Sequence, residues 1–200
     1  MLIDMKIAVE TGRALLYETS RVVDLELGIL KQLKTNPPED KALAKQLKSD
    51  SRKYKRLAAM LTPMSKYYCS EMCNSIAYDS IQVLGGSGYM RDYACERYAR
   101  DARITTIYEG TSQLQVVAAV RGVCSGTAEK YLLEQEEYSY PDEVSELVGT
   151  LKQGREQVVE AIGYIKDQPG TEYMDLHGRP IVDAAIMIIV GHLFLQQSVG

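Results

Sequence analysis

Apolar residues recur every three or four positions along most of this chain, which is the spacing that places them on one face of an α-helix. The first such segment spans residues 3–34, and its apolar positions include Ile3, Ile7, Leu15, Val22, Val23 and Leu30. No segment alternates apolar and polar residues strictly enough to predict a β-strand. The pattern therefore predicts an all-α fold.

Proline and glycine mark where the predicted helices end. Thr35-Asn36-Pro37-Pro38 ends the first helix, because a proline ring cannot continue the hydrogen-bonded ladder. Pro38-Glu39-Asp40 starts a second helix that runs to about Met60. Thr62-Pro63 starts a third, with Thr62 as the N-cap and Pro63 in the first turn. The turn Gly85-Gly86-Ser87-Gly88 ends this third helix after about Leu84.

Shorter elements are predicted beyond the glycine turn. Ser112 and Gln115 have the spacing of a capping box at a helix start. Polar and acidic composition over residues 125–142 predicts a linker. In order, we predict a helix over about 94–103, an extended piece over 104–108, a helix over about 112–122, the linker, a helix over 142–166, a loop over 167–180 and a helix over 181–197.

Charge is distributed unevenly along the chain. The net charge of −4 gives no general case for nucleic acid binding, and we expect no nucleic acid partner. Residues 31–56 nevertheless hold nine Lys and Arg residues against three acids. Such a run is usually a solvated helix face, but it could also meet phosphate or an acidic partner.

Cysteine and histidine spacing argues against a metal site. The four cysteines form no C-x-x-C pair, and both histidines lie far from them in sequence. Free thiols fit a reducing compartment, so we expect a cytoplasmic protein. We expect no signal peptide, because Asp4 and Lys6 interrupt the first apolar run too early for one. The longest apolar stretch, residues 184–195, is shorter than the roughly 20 residues that span a bilayer. We expect this stretch to be a buried helix rather than a membrane contact.

Two short segments could carry chemistry. The glycine turn matches neither a Walker loop nor a dinucleotide fingerprint, since Arg91 stands where the latter needs a small residue. It is either a helix C-cap or a place where the backbone approaches a ligand. Glu109 immediately precedes Gly110 and the predicted helix start at Ser112, so its carboxylate is either a capping group or a base. Unpaired N–H groups at that helix start suit a polar cofactor group.

These pieces occur together in a specific order. Residues 82–89 (QVLGGSGY), Glu96-Arg97, residues 100–104 (RDARI) and residues 107–115 (IYEGTSQLQ) follow one another. This combination resembles the C-terminal helical domain of the acyl-CoA dehydrogenases, most strongly over residues 62–122, and the resemblance extends back to residue 1. The resemblance implies an antiparallel helical bundle and α,β-dehydrogenation of an acyl-CoA thioester with FAD as cofactor.

The resemblance also implies roles for individual residues. Glu109 would be the base that removes the α-proton while hydride passes to flavin N5, and Gly110 would contact the substrate. Thr111, Ser112 and Gln113 would contact FAD. The strip Gln82, Val83, Leu84, Gly85 and Gly86 would contact the FAD of a neighbouring subunit. A homodimer or homotetramer and an electron-transfer flavoprotein as electron acceptor are implied for the same reason.

The resemblance divides the chain into parts. Residues 1–122 would form the bundle domain, residues 123–141 a linker, and residues 142–200 a helical extension that we expect to be truncated. The extension and the long basic segment resemble the subgroup of long acyl-CoA dehydrogenases. We expect a fragment of a longer enzyme, inactive alone, because no flavin-holding β-domain is present. The alternative is a catalytically silent helical oligomerisation or interaction domain, which the basic run over residues 31–56 would favour and Glu109 disfavours.

Overall fold

The computed structural model describes residues 1–199, which form helices and turns with no strand among them. The all-α prediction is confirmed. The α-helices are α1 Leu2–Thr35, α2 Lys41–Leu84, α3 Gly86–Tyr89, α4 Cys95–Ile104, α5 Ser112–Cys124, α6 Thr127–Glu136, α7 Ser145–Lys166 and α8 Glu172–Val199, and one turn of 3₁₀ helix spans Asp142–Val144.

Helices α1 and α2 form the centre of the bundle. A short connection over residues 36–40 joins them, so they run antiparallel and pack on each other along α1. Leu15 and Val22 of α1 are fully buried, as is Leu61 of α2. Helix α1 ends at Thr35, as predicted. The two prolines interrupt the helix there, and the side chain of Asp40 caps the start of α2.

Helix α2 is continuous where the sequence predicted a break. Residues 41–84 form one helix of 44 residues, and Pro63 lies inside it instead of starting a third helix. Proline removes one ladder hydrogen bond, which would have joined it to the carbonyl of Ala59. Burial of the surrounding side chains, including Met60, Leu61 and Met64, offsets this loss and holds the two halves together.

The predicted linker contains a packed helix. Residues 127–136 form α6, and its Ala128, Tyr131 and Leu132 are almost completely buried. Acidic residues on the outer face of α6 dominate the composition and conceal this apolar stripe. The prediction of a linker over residues 123–141 is wrong for this part, which joins the core instead of spanning a gap.

Helix α8 begins earlier than predicted. It starts at Glu172 and carries Pro180 within it, so only residues 167–171 of the predicted loop lie outside a helix. The helix is long and apolar enough to cross a membrane by length and composition, but 56% of its most apolar window is buried inside the protein. Fully buried Val182, Ile186 and Ile189 pack it against α1, α5 and α7. The expectation of a buried helix is thereby confirmed.

Candidate active site

A compact turn, not an extended segment, precedes α5. The N–H groups of Ile107 and Tyr108 both donate to the carbonyl of Ile104, at 2.9 and 3.1 Å. The N–H of Ser112 donates back across the turn to the carbonyl of Thr106 at 3.1 Å. The prediction of an extended piece over residues 104–108 is therefore wrong: these hydrogen bonds coil the chain and project its tip outward.

Glu109 occupies the tip of this turn in an unusual conformation. Its φ of +51° makes it the one non-glycine residue with positive φ between residues 1 and 199. An L-residue in this region is strained by roughly 1–3 kcal/mol, and such strain concentrates at functional sites. The carboxylate of Glu109 is exposed and forms no ion pair or hydrogen bond within the described chain. It is thus free to meet a ligand and is not a capping group.

Gly110 is suited to its position for two reasons. Its φ of +92° lies where glycine alone is unstrained. A Cβ on this residue would also lie only 2.5 Å from Nε2 of Gln115. That Nε2 donates to the carbonyl of Glu109 at 3.1 Å, so the amide side chain of α5 helps to fix the tip of the turn.

Lys66 of α2 fixes the turn from the other side. Its ammonium donates to the carbonyl of Thr105 at 2.7 Å and to the carbonyl of Gly110 at 2.8 Å. The same ammonium lies 5.7 Å from the ring centroid of Tyr108, within range of a cation–π contact. A single charged side chain therefore joins the two ends of the segment that carries Glu109.

The cap of helix α5 lies one residue earlier than the sequence predicted. Thr111 is the N-cap, and its hydroxyl accepts a hydrogen bond from the N–H of Leu114 at 3.3 Å. Ser112 instead donates its hydroxyl proton to Oε1 of Glu71 at 2.5 Å. The predicted capping box of Ser112 and Gln115 is therefore wrong, since both side chains bind partners outside the first turn.

Glu71 connects this helix start to the C-terminal part of the chain. Its second oxygen, Oε2, lies 3.6 Å from the guanidinium of Arg179 in α8. That guanidinium lies 3.9 Å from the carboxylate of Asp183 and stacks 5.4 Å from the ring centroid of Tyr67. Tyr67 donates its hydroxyl proton to Asp183 at 2.8 Å, and burial together with this hydrogen bond raises the pKa of Tyr67.

The glycine turn lies at the far end of α2. Gln82, Val83 and Leu84 end this helix, and with Gly85 and Gly86 they form an exposed strip. Gly85 has φ +59° and open space where a Cβ would stand, which a ligand could approach. About 24 Å of helix separates Gln82 from Lys66, at 1.5 Å per residue. Within one chain, α2 therefore holds this strip away from Glu109. The other predicted site residues directly follow Glu109 in the chain, namely Gly110, Thr111, Ser112 and Gln113.

Two residues of the site are missing from the sequence-based predictions, namely Lys66 and Glu71. Lys66, Ser70 and Asn74 form a polar stripe at i, i+4 spacing within the apolar half of α2. Asn74 donates to the carbonyl of Ala102 at 2.9 Å, and Lys66 donates to that of Thr105. The stripe therefore forms hydrogen bonds with the C-terminal end of α4. The role of Lys66 could be predicted from that spacing. No pattern in the sequence predicts the role of Glu71, because its partners Ser112 and Arg179 are distant in sequence.

Residues 1–199 contain no cluster of three or more His, Cys, Asp or Glu side chains suited to a metal ion. The arrangement around Glu109 offers a free carboxylate, an adjacent helix N-terminus and exposed hydroxyl and amide groups. These are the parts of a proton-transfer site beside a polar cofactor.

Comparison with known proteins assigns both halves of the chain to related families. Residues 1–123 match the family described as acyl-CoA dehydrogenase, C-terminal domain, and residues 124–199 match the family described as acyl-CoA dehydrogenase C terminal. The solved structure "Bd2924 apo-form" superposes on 96% of this chain and 32% of its own, with a TM-score of 0.62 and 19% identity. At that identity the likeness concerns the fold.

Individual relatives match over a shorter region. The caffeyl-CoA reductase-Etf complex subunit CarC of Acetobacterium woodii is 49% identical over 61 residues, which are 30% of this chain and 16% of that protein. The short-chain specific acyl-CoA dehydrogenase of rat mitochondria is 44% identical over 72 residues, which are 36% of this chain and 16% of that protein. The match thus spans about one sixth of the length of each relative.

Proposed function

Because this chain belongs to the acyl-CoA dehydrogenase family, we propose that it is the C-terminal helical region of an FAD-dependent enzyme that dehydrogenates an acyl-CoA thioester. Glu109 is the base that removes the α-proton. The observation that carries this role is the turn that presents Glu109: a strained residue with a free carboxylate, held in place by Lys66 and Gln115.

The geometry of Glu109 suits proton abstraction from a thioester. A base acts best when its position is fixed, and the flanking hydrogen bonds fix the backbone on both sides of this residue. The N–H of Glu109 makes no backbone hydrogen bond within residues 1–199, so it can donate to the thioester carbonyl. Such a bond stabilises the negative charge that develops on that oxygen as the α-proton leaves.

Exposed groups at the start of α5 fit a polar cofactor. Thr111 and Gln113 are exposed there, and the first N–H groups of the helix carry partial positive charge. When bound, FAD supplies the hydride acceptor of this reaction. Ser112 would act on the cofactor indirectly, because its bond to Glu71 orients the first turn of α5.

The position of the two predicted cofactor strips leaves each of them open to a second copy of the protein. The strip at residues 82–86 is exposed at the end of α2, about 16 Å of helix beyond Glu71, the residue that binds Ser112 at the start of α5. A second copy would place its own strip against the cofactor held at the start of α5. A homodimer or homotetramer provides that arrangement.

One relative and the cysteines point to an electron acceptor and a compartment. One relative carries the name of a subunit of an Etf complex, which supports an electron-transfer flavoprotein as the electron acceptor here. All four cysteines are free thiols, which supports a reducing, cytoplasmic location. The substrate would be an acyl-CoA thioester.

Substitution of the base in the full-length enzyme tests the proposal. The purified protein is mixed anaerobically with a panel of acyl-CoA thioesters, and loss of the oxidised flavin absorbance is followed. Glu109→Gln should retain flavin and lose at least about 10²-fold in the rate of bleaching, the usual scale for a general base. Glu137→Gln, an exposed acid at the far end of α6, is the matched control and should bleach normally. Unchanged bleaching in Glu109→Gln would reject the base role.

A further inference from the structure

A second concave site lies at the opposite end of α5 from Glu109. It is a cavity of about 760 Å³ between the N-terminal half of α2 and the turn that joins α5 to α6. The 14 positions from Thr111 to Ser125 correspond to about 20 Å of helix, so this cavity is separate from the turn that carries Glu109. Nothing in the proposed dehydrogenation uses it.

The walls of the cavity carry an excess of positive charge. Arg52, Lys53 and Arg56 line it from α2, and Lys130 lines it from α6. Glu134 is the one acid in the lining, and it pairs with Lys53 at 2.7 Å. The other three cations form no ion pair within residues 1–199, so their charges face the cavity uncompensated.

Neutral hydrogen-bond donors complete the site. The hydroxyls of Ser125 and Thr127 line the cavity 3.1 Å from each other. Ser125 donates its proton to the carbonyl of Gly122 at 3.0 Å, so the Thr127 hydroxyl is the one that can turn toward a ligand. No side chain caps the N-terminus of α6, where Gly126 is the N-cap. The N–H groups of its first turn are therefore available beside the hydroxyls. Guanidinium groups, an ammonium, the Thr127 hydroxyl and N–H groups together match the oxygen atoms of phosphate.

We propose that this cavity binds a small phosphorylated molecule with at least two phosphate groups. Three uncompensated cations on opposite walls exceed what one phosphate requires, and the cavity volume exceeds that of a single phosphate ion. The basic stripe continues along α2 through Lys48 and Lys45 beyond the cavity. That stripe draws anions toward the site, whereas Lys130 and the first turn of α6 face the ligand from the opposite wall.

Calorimetric titration of the 200-residue chain with pyrophosphate and with inorganic phosphate tests this site. Pyrophosphate should bind at one site per chain and more tightly than phosphate. Arg56→Gln and Lys130→Gln should each lower the affinity for pyrophosphate about tenfold, the usual scale for loss of one charge-assisted hydrogen bond. Arg56→Lys, which keeps the charge, should lose less. Helical circular dichroism and the melting temperature without ligand verify that each variant is folded.

Lys55→Gln is the matched control, because Lys55 is exposed on the same helix, carries the same charge and does not line the cavity. It should bind pyrophosphate normally. Equal losses in Lys55→Gln and Arg56→Gln would mean a non-specific charge effect and would overturn the proposal. Absence of pyrophosphate binding would also overturn it. Co-sedimentation with phosphatidylserine vesicles that pyrophosphate does not compete would indicate a lipid surface instead.

Discussion

The ammonium of Lys66 lies 2.8 Å from the carbonyl oxygen of Gly110, the residue that follows the proposed base. The same ammonium lies 2.7 Å from the carbonyl of Thr105, at the other end of the turn. A side chain in the middle of the longest helix thus sets the position of Glu109. Removal of this contact should change activity without any change to the carboxylate itself.

We expect Lys66→Met to destabilise the protein and to impair turnover. Methionine preserves the apolar part of the side chain but leaves two carbonyl oxygens without their charged donor, which should cost about 2 kcal/mol. Urea unfolding measures the stability, and steady-state kinetics of the full-length enzyme should show a lower kcat with a smaller change in KM. Lys55→Met, an exposed lysine on the same helix, should alter neither. Normal kcat in Lys66→Met would show that the turn holds Glu109 without this clamp.

Removal of one partner from the ion pair of Arg155 and Glu136 should cost more stability than removal of one partner from the pair of Lys53 and Glu134. Arg155 lies 2.6 Å from Glu136, and the two side chains are only 13% and 10% exposed. Arg155→Met leaves a mostly buried carboxylate without a partner, which should lower the free energy of unfolding by about 3 kcal/mol. Lys53→Met breaks a pair whose side chains are 46% and 42% exposed and should cost less than about 1 kcal/mol.

A double variant separates the charge from the packing of the first ion pair. Arg155→Met with Glu136→Gln removes both charges, so much of the stability lost in Arg155→Met should return. Urea denaturation gives the free energy of unfolding of the wild-type protein, Arg155→Met, Lys53→Met and the double variant. Equal stability of Arg155→Met and Lys53→Met would contradict the expected effect of burial.

Protonation of His192 should destabilise the fold as the pH falls. This side chain is fully buried, its Nδ1 lies 2.9 Å from the hydroxyl of Tyr140, and its Nε2 has no partner within residues 1–199. Burial lowers the pKa of His192 below its ordinary value of 6.5; Lys152 and Arg155 lower it further, while Glu136 opposes them. The unfolded chain therefore binds more protons than the folded protein just below pH 6.5, and stability is lost from that pH downward.

Urea unfolding between pH 8 and pH 5 measures this effect. A single histidine contributes at most about 1.4 kcal/mol per pH unit to the slope. His192→Asn retains a polar group toward Tyr140 but does not titrate, so its stability should depend less on pH over this range. Parallel pH profiles for His192→Asn and the wild-type protein would exclude His192 as the cause.

Local signals are sufficient for several helix ends. Two adjacent prolines cannot continue α1, and Gly85 ends α2 because its left-handed φ of +59° is accessible to glycine at little cost. The same local rules fail at Pro63 and Pro180, which lie inside helices. In both places buried neighbours offset the lost hydrogen bond, and that burial depends on other helices. Tertiary packing therefore overrides the local preference.

In the candidate site, too, some features follow from the local sequence and others depend on contacts with distant segments. Glu109 and the start of α5 are contiguous in the chain, so the amino-acid sequence alone reveals their motif. The motif predicts a helix cap at Ser112, but the cap is Thr111, because Glu71 from another helix engages the Ser112 hydroxyl. The positive φ of Glu109 likewise results from its fixed neighbours and not from its residue type. Contacts between distant segments determine these details, and no local pattern encodes them.

Helix α2 is continuous from Lys41 to Leu84, so it couples the stability of distant parts of the molecule. Its 44 residues extend about 66 Å and bear the basic cavity near one end and the glycine turn at the other, with Lys66 between them. Backbone hydrogen bonds alone do not provide this continuity, because Pro63 lacks an amide proton. The buried side chains on both sides of Pro63 provide it. Amide protons in the two halves of α2 should therefore exchange with solvent through the same opening event, which links the stability of both ends.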